Sequence, residues 1–306
     1  MGKICFGLLA HNEPDCLADL VDNIRVFAPG ADIVLFNGGR DAHLADGLGI
    51  EVCPYSQPLG YERVAYYHYA LMRWLNEERR DYDFLVTLDS DVLLIKPGLG
   101  DYLDRTMAHA GYMSVLFREI DLVDPWIPGR MFHSKWERVW QPIFGTRYPY
   151  GCFNPGQTFR REYAERLLQF PRLEELLSRI DRSSLHNLEE LVWASLAVTL
   201  ECRPRAFPET MENAVRYLKR HSPRDIRGWL ADPDVYFIHP ITMEMDAPER
   251  RLIRDLAHGQ RVDFDAYQRA FETYQAAPPS HKRWRNTLVM PALSKLYNAY
   301  LRVLPE

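Results

Sequence analysis

The sequence predicts an α/β protein with a mostly parallel central sheet flanked by helices. Three observations predict it. Short apolar runs (4–10, 33–36 and 84–88) alternate with stretches of helical spacing, the order expected of parallel strands joined by crossover helices. Each of these runs stops at polar or turn-forming residues, as buried strands do. The composition, 47% hydrophobic and 26% charged over 306 residues, suits one large globular domain or a domain with an appendage.

Ile4 to Ala10 reads as the first strand. It is too short for a signal peptide and runs into His11-Asn12-Glu13-Pro14 without a cleavage region. Leu17, Leu20, Val21, Ile24 and Phe27 share one helical face, and Pro29-Gly30 ends that helix. Ile33 to Phe36 is a second strand closed by Asn37-Gly38-Gly39, and Ile50 to Cys53 a brief third. A long helix is expected over 61–80, a strand over 84–88, a helix over 99–110 and a strand over 112–117. The segment 118–151, rich in Trp, Tyr, Pro and Arg, lacks periodicity and reads as irregular. Helical patterns return at 161–168 and 187–200, and a last sheet-like run at 235–238. We expect a catalytic domain over 1–243, divided into 1–117 and 118–243, and a helical extension over 244–306.

Several classes are excluded. A net charge of −5 and the lack of a basic module argue against nucleic-acid binding. No apolar stretch is long enough to span a bilayer. Five scattered cysteines suggest reduced thiols and a cytoplasmic protein. Neither a Gly-x-Gly-x-x-Gly after the first strand nor a P-loop is present.

Asp89-Ser90-Asp91 carries the most chemistry. Two carboxylates one residue apart, at the carboxyl end of a buried strand, are hard oxygen ligands suited to Mn2+ or Mg2+ carrying a diphosphate. The plainer alternative is capping of the next turn. His239, after the last strand, either completes a metal shell with Asp91 or is a satisfied structural group. Glu189 and Glu190 open an apolar helix; Asn187 and Glu190 match a capping box, while one carboxylate facing a cleft would act as a general base. Ala10, His11, Asn12, Asn37 and Gly38 follow strands one and two, where a nucleotide base or ribose binds. Arg63 and Lys96 are cations within reach of a diphosphate unless they are plain surface. Trp126, Trp136, Trp140, Tyr148 and Tyr150 either stack on sugar rings or form a satellite core. His281-Lys282-Arg283-Trp284-Arg285 and the apolar face from Leu288 to Leu301 suggest a terminal helix docking on its own domain, on a second subunit, or peripherally on the inner face of a membrane.

This order of parts resembles the GT-A-fold glycosyltransferases over about Lys3 to Thr242, with Leu88-Asp89-Ser90-Asp91-Val92 as their D-x-D element. Glu189 to Ser195 is similar to the Asp-Glu-x-x-Trp-Ala-Thr segment of core-2/I-branching N-acetylglucosaminyltransferases, whose second carboxylate is the base and maps to Glu190. Those branching enzymes are metal-independent and lack a full D-x-D, and their eukaryotic members carry a membrane anchor and disulfides. The architecture therefore transfers further than the branch. The resemblance implies transfer of a hexosyl or N-acetylhexosaminyl group from a nucleotide-diphosphate sugar, UDP-sugar favoured, to a glycan or lipid-linked acceptor in polysaccharide biosynthesis. Asp91 would bind the metal, Asp89 the ribose or the metal through water, with Ser90 between them, and Glu190 would deprotonate, with inversion, an acceptor held between the aromatic segment and the turn Gly151-Cys152-Phe153-Asn154-Pro155-Gly156-Gln157. The alternatives are a retaining enzyme, a haloacid-dehalogenase-type phosphatase, and a silent carbohydrate-binding protein. The His-Gly-Lys tail of one common retaining group is not matched by His239-Pro240-Ile241, and Leu93 stands where the phosphatase expects Thr or Val.

Overall fold

The computed structural model describes residues 2–60 and 63–277. Strand β1 (Ile4–Ala10) is buried throughout, because its apolar side chains meet helices on both faces. Helix α1 (Pro14–Phe27) follows, with Leu17, Leu20, Val21 and Ile24 in the core. Then come β2 (Asp32–Asn37), β3 (Glu51–Val52), α2 (Ala65–Glu77) and β4 (Phe84–Asp89). The two-residue β5 (Leu93–Leu94) leads to α3 (Leu99–Thr106) and β6 (Tyr112–Glu119).

The segment expected to be irregular is largely helical. It holds α4 (Ile127–Ser134), a π-helical turn over Trp136–Trp140 and α5 (Gln141–Phe144). Phe132, Trp136, Trp140 and Phe144 are buried against one another, so Trp136 and Trp140 are core residues and do not stack on sugars. Their scattered spacing fills a satellite core.

Strand β7 (Tyr150–Arg160) was not expected, because Gly151, Pro155 and Gly156 read as a turn. It is a bulged strand. Val115 pairs with Phe153 while Met113 pairs with Thr158, so Asn154 to Gln157 loop out of the ladder. Gly156 has φ +81°, and a Cβ there would lie 2.3 Å from the Phe237 ring, so only glycine fits. Next come α6 (Arg161–Leu168), α7 (Leu173–Arg182), α8 (Leu188–Thr199) and β8 (Arg205–Ala206). The chain continues through α9 (Thr210–Ala214), α10 (Pro223–Ala231), β9 (Phe237–Ile238), α11 (Pro248–Ala257) and α12 (Phe264–Ala276).

The sheet order is β3-β2-β1-β4-β7-β6-β8, and β7 alone runs against the others. The expected α/β class, a mostly parallel sheet with helices on its faces, is observed. The run at 235–238 is shorter than expected and pairs with β5 in a separate two-stranded sheet. One core lies under α2 and α8, the other under α1, α3 and α11. No helix among the described residues is long and apolar enough to cross a membrane. The basic collar and apolar face over 281–301 lie outside the described residues.

Candidate active site

The carboxyl ends of β2, β1 and β4 lie side by side. Ala10 pairs with Asn37, and Leu9 pairs with Asp89, so the end of β4 stands beside that of β1. This is the edge where open α/β sheets bind ligands. The chain turns tightly at Asp89, whose carbonyl accepts the Val92 N–H at 3.1 Å. Ser90 is buried, while Asp89 and Asp91 are partly exposed. Ile241 N–H donates to the Asp91 carbonyl at 2.8 Å and lays the segment after β9 along the turn.

That segment carries His239. Its Nδ1 donates to the Arg216 carbonyl at 2.9 Å, which leaves Nε2 facing Asp91 Oδ2 at 3.3 Å. Beneath the turn lies Arg250 of α11, fully buried. It donates to the Ser90 carbonyl at 3.3 Å, to the Thr242 carbonyl at 2.8 Å and to Asp19 of α1 at 2.5 Å. A guanidinium with several donors in a fixed plane suits such a three-way tie.

On the other side stands Glu190, in the first turn of α8. Its Oε1 accepts the Asn154 backbone N–H at 2.9 Å. The Asn154 side chain reaches Asp89 Oδ2 at 3.4 Å and accepts from Gln157 Nε2 at 2.8 Å. Gln157 Nε2 also donates to the Glu189 carbonyl, and the Tyr112 hydroxyl donates to Gln157 Oε1 at 2.7 Å. The looped-out part of β7 thus links Asp89 to Glu190. The capping box does not form: Asn187 is left-handed (φ 62°) and makes no side-chain cap, so the Glu190 carboxylate is turned to β7.

The acids differ in their compensation. Burial, then the charge of Asp91, pushes Asp89 up to about 7. Burial also pushes at Asp91, but the charge and hydrogen bond of His239 outweigh it and hold Asp91 below the usual range. Burial works against a charged His239, yet Asp91 holds its pKa above the ordinary value. Burial lifts Glu190 to about 7, and burial followed by the charge of Glu190 lifts Glu189 well above the usual range.

Asp91 and His239 fit a divalent cation. An imidazole whose other nitrogen is tied to a carbonyl is the oriented form that ligates metals, and a carboxylate held ionised is its natural companion. The expected set of three does not close: among the described residues no three His, Cys, Asp or Glu side chains are gathered to hold a metal by themselves. Asp89 faces Asn154 instead. A cation here would draw further oxygens from a bound molecule, as Mg2+ and Mn2+ sites on phosphates do.

The remaining expected residues are placed as follows. His11 Nδ1 meets the Gly38 carbonyl at 2.9 Å, joining the loops after β1 and β2. A Cβ on Gly39 would lie 1.8 Å from the His11 carbonyl oxygen, so glycine is required for that approach. Asn12 is exposed beside them. The Asn37 side chain is used within its own loop, donating to the Asp41 carbonyl and accepting from the Gly39 N–H. Arg63 pairs with Asp181 of α7 at 3.5 Å, and Lys96 donates to the Asp232 carbonyl, so both are engaged with the protein itself. Sequence reasoning placed Asn154 and Gln157 in a turn beside the acceptor but missed their role as links to Asp89 and Glu189, and it missed Arg250 altogether. The Gly-Cys-Phe-Asn-Pro-Gly-Gln turn chemistry was a signal for the first two, whereas nothing distinguishes Arg250 within its charged run.

No protein-family model matches the chain, and no curated protein matches it. Among solved structures it is similar to galactosyltransferase LgtC in complex with donor and acceptor sugar analogues (13% identity, 87% of this chain and 99% of that one, TM-score 0.43). It is also similar to the glycosyltransferase GlyE of Streptococcus pneumoniae TIGR4 (10%, 92% and 66%, 0.44). A third is glucosyl-3-phosphoglycerate synthase from Mycobacterium tuberculosis with Mn2+, UDP and glucosyl-3-phosphoglycerate (16%, 60% and 67%, 0.35).

Proposed function

We propose that the chain is a GT-A-type glycosyltransferase moving a sugar from a nucleotide-diphosphate sugar, a UDP-sugar first among them, to a hydroxyl of a glycan or lipid-linked acceptor. One observation carries this reading. Asn154 bonds both Glu190 and Asp89, and Asp89 shares its turn with Asp91, so the proposed cation pair of Asp91 and His239 adjoins the network of the candidate base. In this reading 1–117 serves the nucleotide and 118–243 the acceptor.

Asp91 and His239 would hold Mn2+ or Mg2+. The ion, when bound, would supply Lewis-acid stabilisation of the charge growing on the departing diphosphate. Asp89 and the loops at Ala10, His11, Asn12, Asn37 and Gly38 would receive ribose and base. Glu190, lifted toward neutrality by burial, would take the acceptor proton, since a base works best with a pKa near the working pH. The Asn154 N–H fixes the direction of that carboxylate. Attack from the face opposite the leaving group would invert the anomeric centre.

A thermal-shift screen of nucleotide sugars with and without Mn2+, followed by anomeric analysis of the product, tests this. We expect metal-dependent stabilisation by one donor and an inverted product. A retained configuration would remove Glu190 from its role. Hydrolysis of phosphomonoesters without transfer would favour the phosphatase reading, and donor binding without any transfer a silent binding protein.

A further inference from the structure

We propose that a groove on the flank of the sheet, remote from the acidic turn, binds an acidic sugar. The groove has a volume of about 730 Å³, within the range of ligand sites. It runs between the start of β6, the two ends of β7, helix α6 and the loop after α8. Arg160 marks its far end. This residue pairs with Phe84 at the amino end of β4, and Asp89 closes the same strand five steps later. At about 3.3 Å per step, roughly 16 Å of strand separates the two. The groove is a second place on the molecule.

Its charge runs against that of the chain. The whole protein carries −5, yet Arg160, Arg166 and Arg203 line the groove against Glu162 and Glu201. Arg166 is taken up by an ion pair with Glu162 and by the Leu200 carbonyl. Arg203 has no ion pair among the described residues. Arg160 lies over the Phe84 ring, and its buried Nε has no hydrogen-bond partner among the described residues. Arg160 is half-buried, lines the groove and has no ion pair among the described residues, so an incoming anion would give its guanidinium a counter-charge. Guanidinium groups match carboxylate and phosphate oxygens in geometry as well as charge.

The opposite end is aromatic. Phe117 and Tyr150 are stacked, with ring centroids 5.6 Å apart and planes 6° from parallel. Such a pair offers apolar area, and the Tyr150 hydroxyl is tied to the Glu119 side chain. Glu162 and Glu201 would accept from sugar hydroxyls. His109 also lines the groove and would donate to or accept from a sugar hydroxyl. The acidic group is a carboxylate or a phosphate. This inference does not depend on the transfer reading.

Calorimetric titration of the full chain with glucuronate, glucose 6-phosphate, glucose and UMP tests it. We expect one acidic sugar to bind at least tenfold more tightly than glucose, the two acids telling carboxylate from phosphate. Arg160→Gln should weaken that binding about tenfold. Arg203→Gln, on an exposed loop, should do the same if the first variant fails to fold. Asp91→Asn should leave the affinity unchanged. The proposal is overturned if neither acid binds better than glucose, if UMP is preferred, if both arginine variants bind as the parent does, or if Asp91→Asn abolishes binding.

Discussion

The two acidic halves of the site are both desolvated, but only one is compensated. Asp91 faces His239 and lies above buried Arg250, and it stays ionised despite desolvation. Glu190, across the Asn154 link, has hydrogen bonds but, among the described residues, no cation in contact, and burial raises its pKa to about 7. In the proposed reading the contrast divides the tasks: the carboxylate that would ligate is kept charged, whereas the one that would move a proton is kept near its midpoint.

Removing the charged member should do most damage. Asp91→Asn is expected to lower kcat/KM by at least about a thousandfold, the scale on which electrostatic stabilisation of a leaving group acts. Steady-state kinetics across Mn2+ concentrations would show it, and residual activity insensitive to Mn2+ would break the contrast. Glu190→Gln should cost about 10²- to 10⁴-fold in kcat with little change in donor KM. In the parent enzyme kcat/KM should rise tenfold per pH unit toward a plateau above about 7, because the base acts only when deprotonated. A flat profile between pH 5.5 and 7 would take the role from Glu190.

Arg250→Met probes the compensated side. It leaves Asp19 buried with only the partly exposed Arg254 as partner, and a loss of about 3–5 kcal/mol in urea unfolding is expected. An unchanged midpoint would show that the tie is dispensable.

The smallest effect contrasts two buried histidines. His239 meets an acid and its pKa rises. His68 lies among Tyr67, Phe159 and Trp193, and burial, only partly offset by the Val64 backbone, lowers it to about 3. Below pH 6.5 the unfolded chain gains a proton at this position that the folded chain refuses. The stability it contributes is therefore complete above 6.5 and is lost as pH falls toward 3. Between pH 7 and 5 the parent should lose about 2 kcal/mol relative to His68→Leu. Urea denaturation of both proteins at the two pH values measures the difference.

The half up to residue 117 was legible because its main strands, β1, β2, β4 and β6, are short apolar runs bounded by turn residues. Asp89 to Asp91 stood out for the same reason. The second half was hidden by conflicts between local and tertiary signals. Gly151, Pro155 and Gly156 spell a turn, yet β7 accepts them because its ladder is interrupted where they lie. Trp136 and Trp140 carry no period because a π-helical turn places them. Glu190 offered two roles in sequence, and the left-handed Asn187 removed one of them. Arg250 could not be found, since its importance comes from contacts with Ser90, Thr242 and Asp19, the first and last of them far away in the chain.

That guanidinium also sets an order of events during biosynthesis. Its contact with the Ser90 carbonyl spans 160 positions of sequence. At translation rates of about 5–20 residues per second, roughly 8–32 s pass between the appearance of the acidic turn and the arrival of its clamp. Until then the nascent turn lacks its anchor, so a cation held there in the proposed reading would be captured only after α11 has been made.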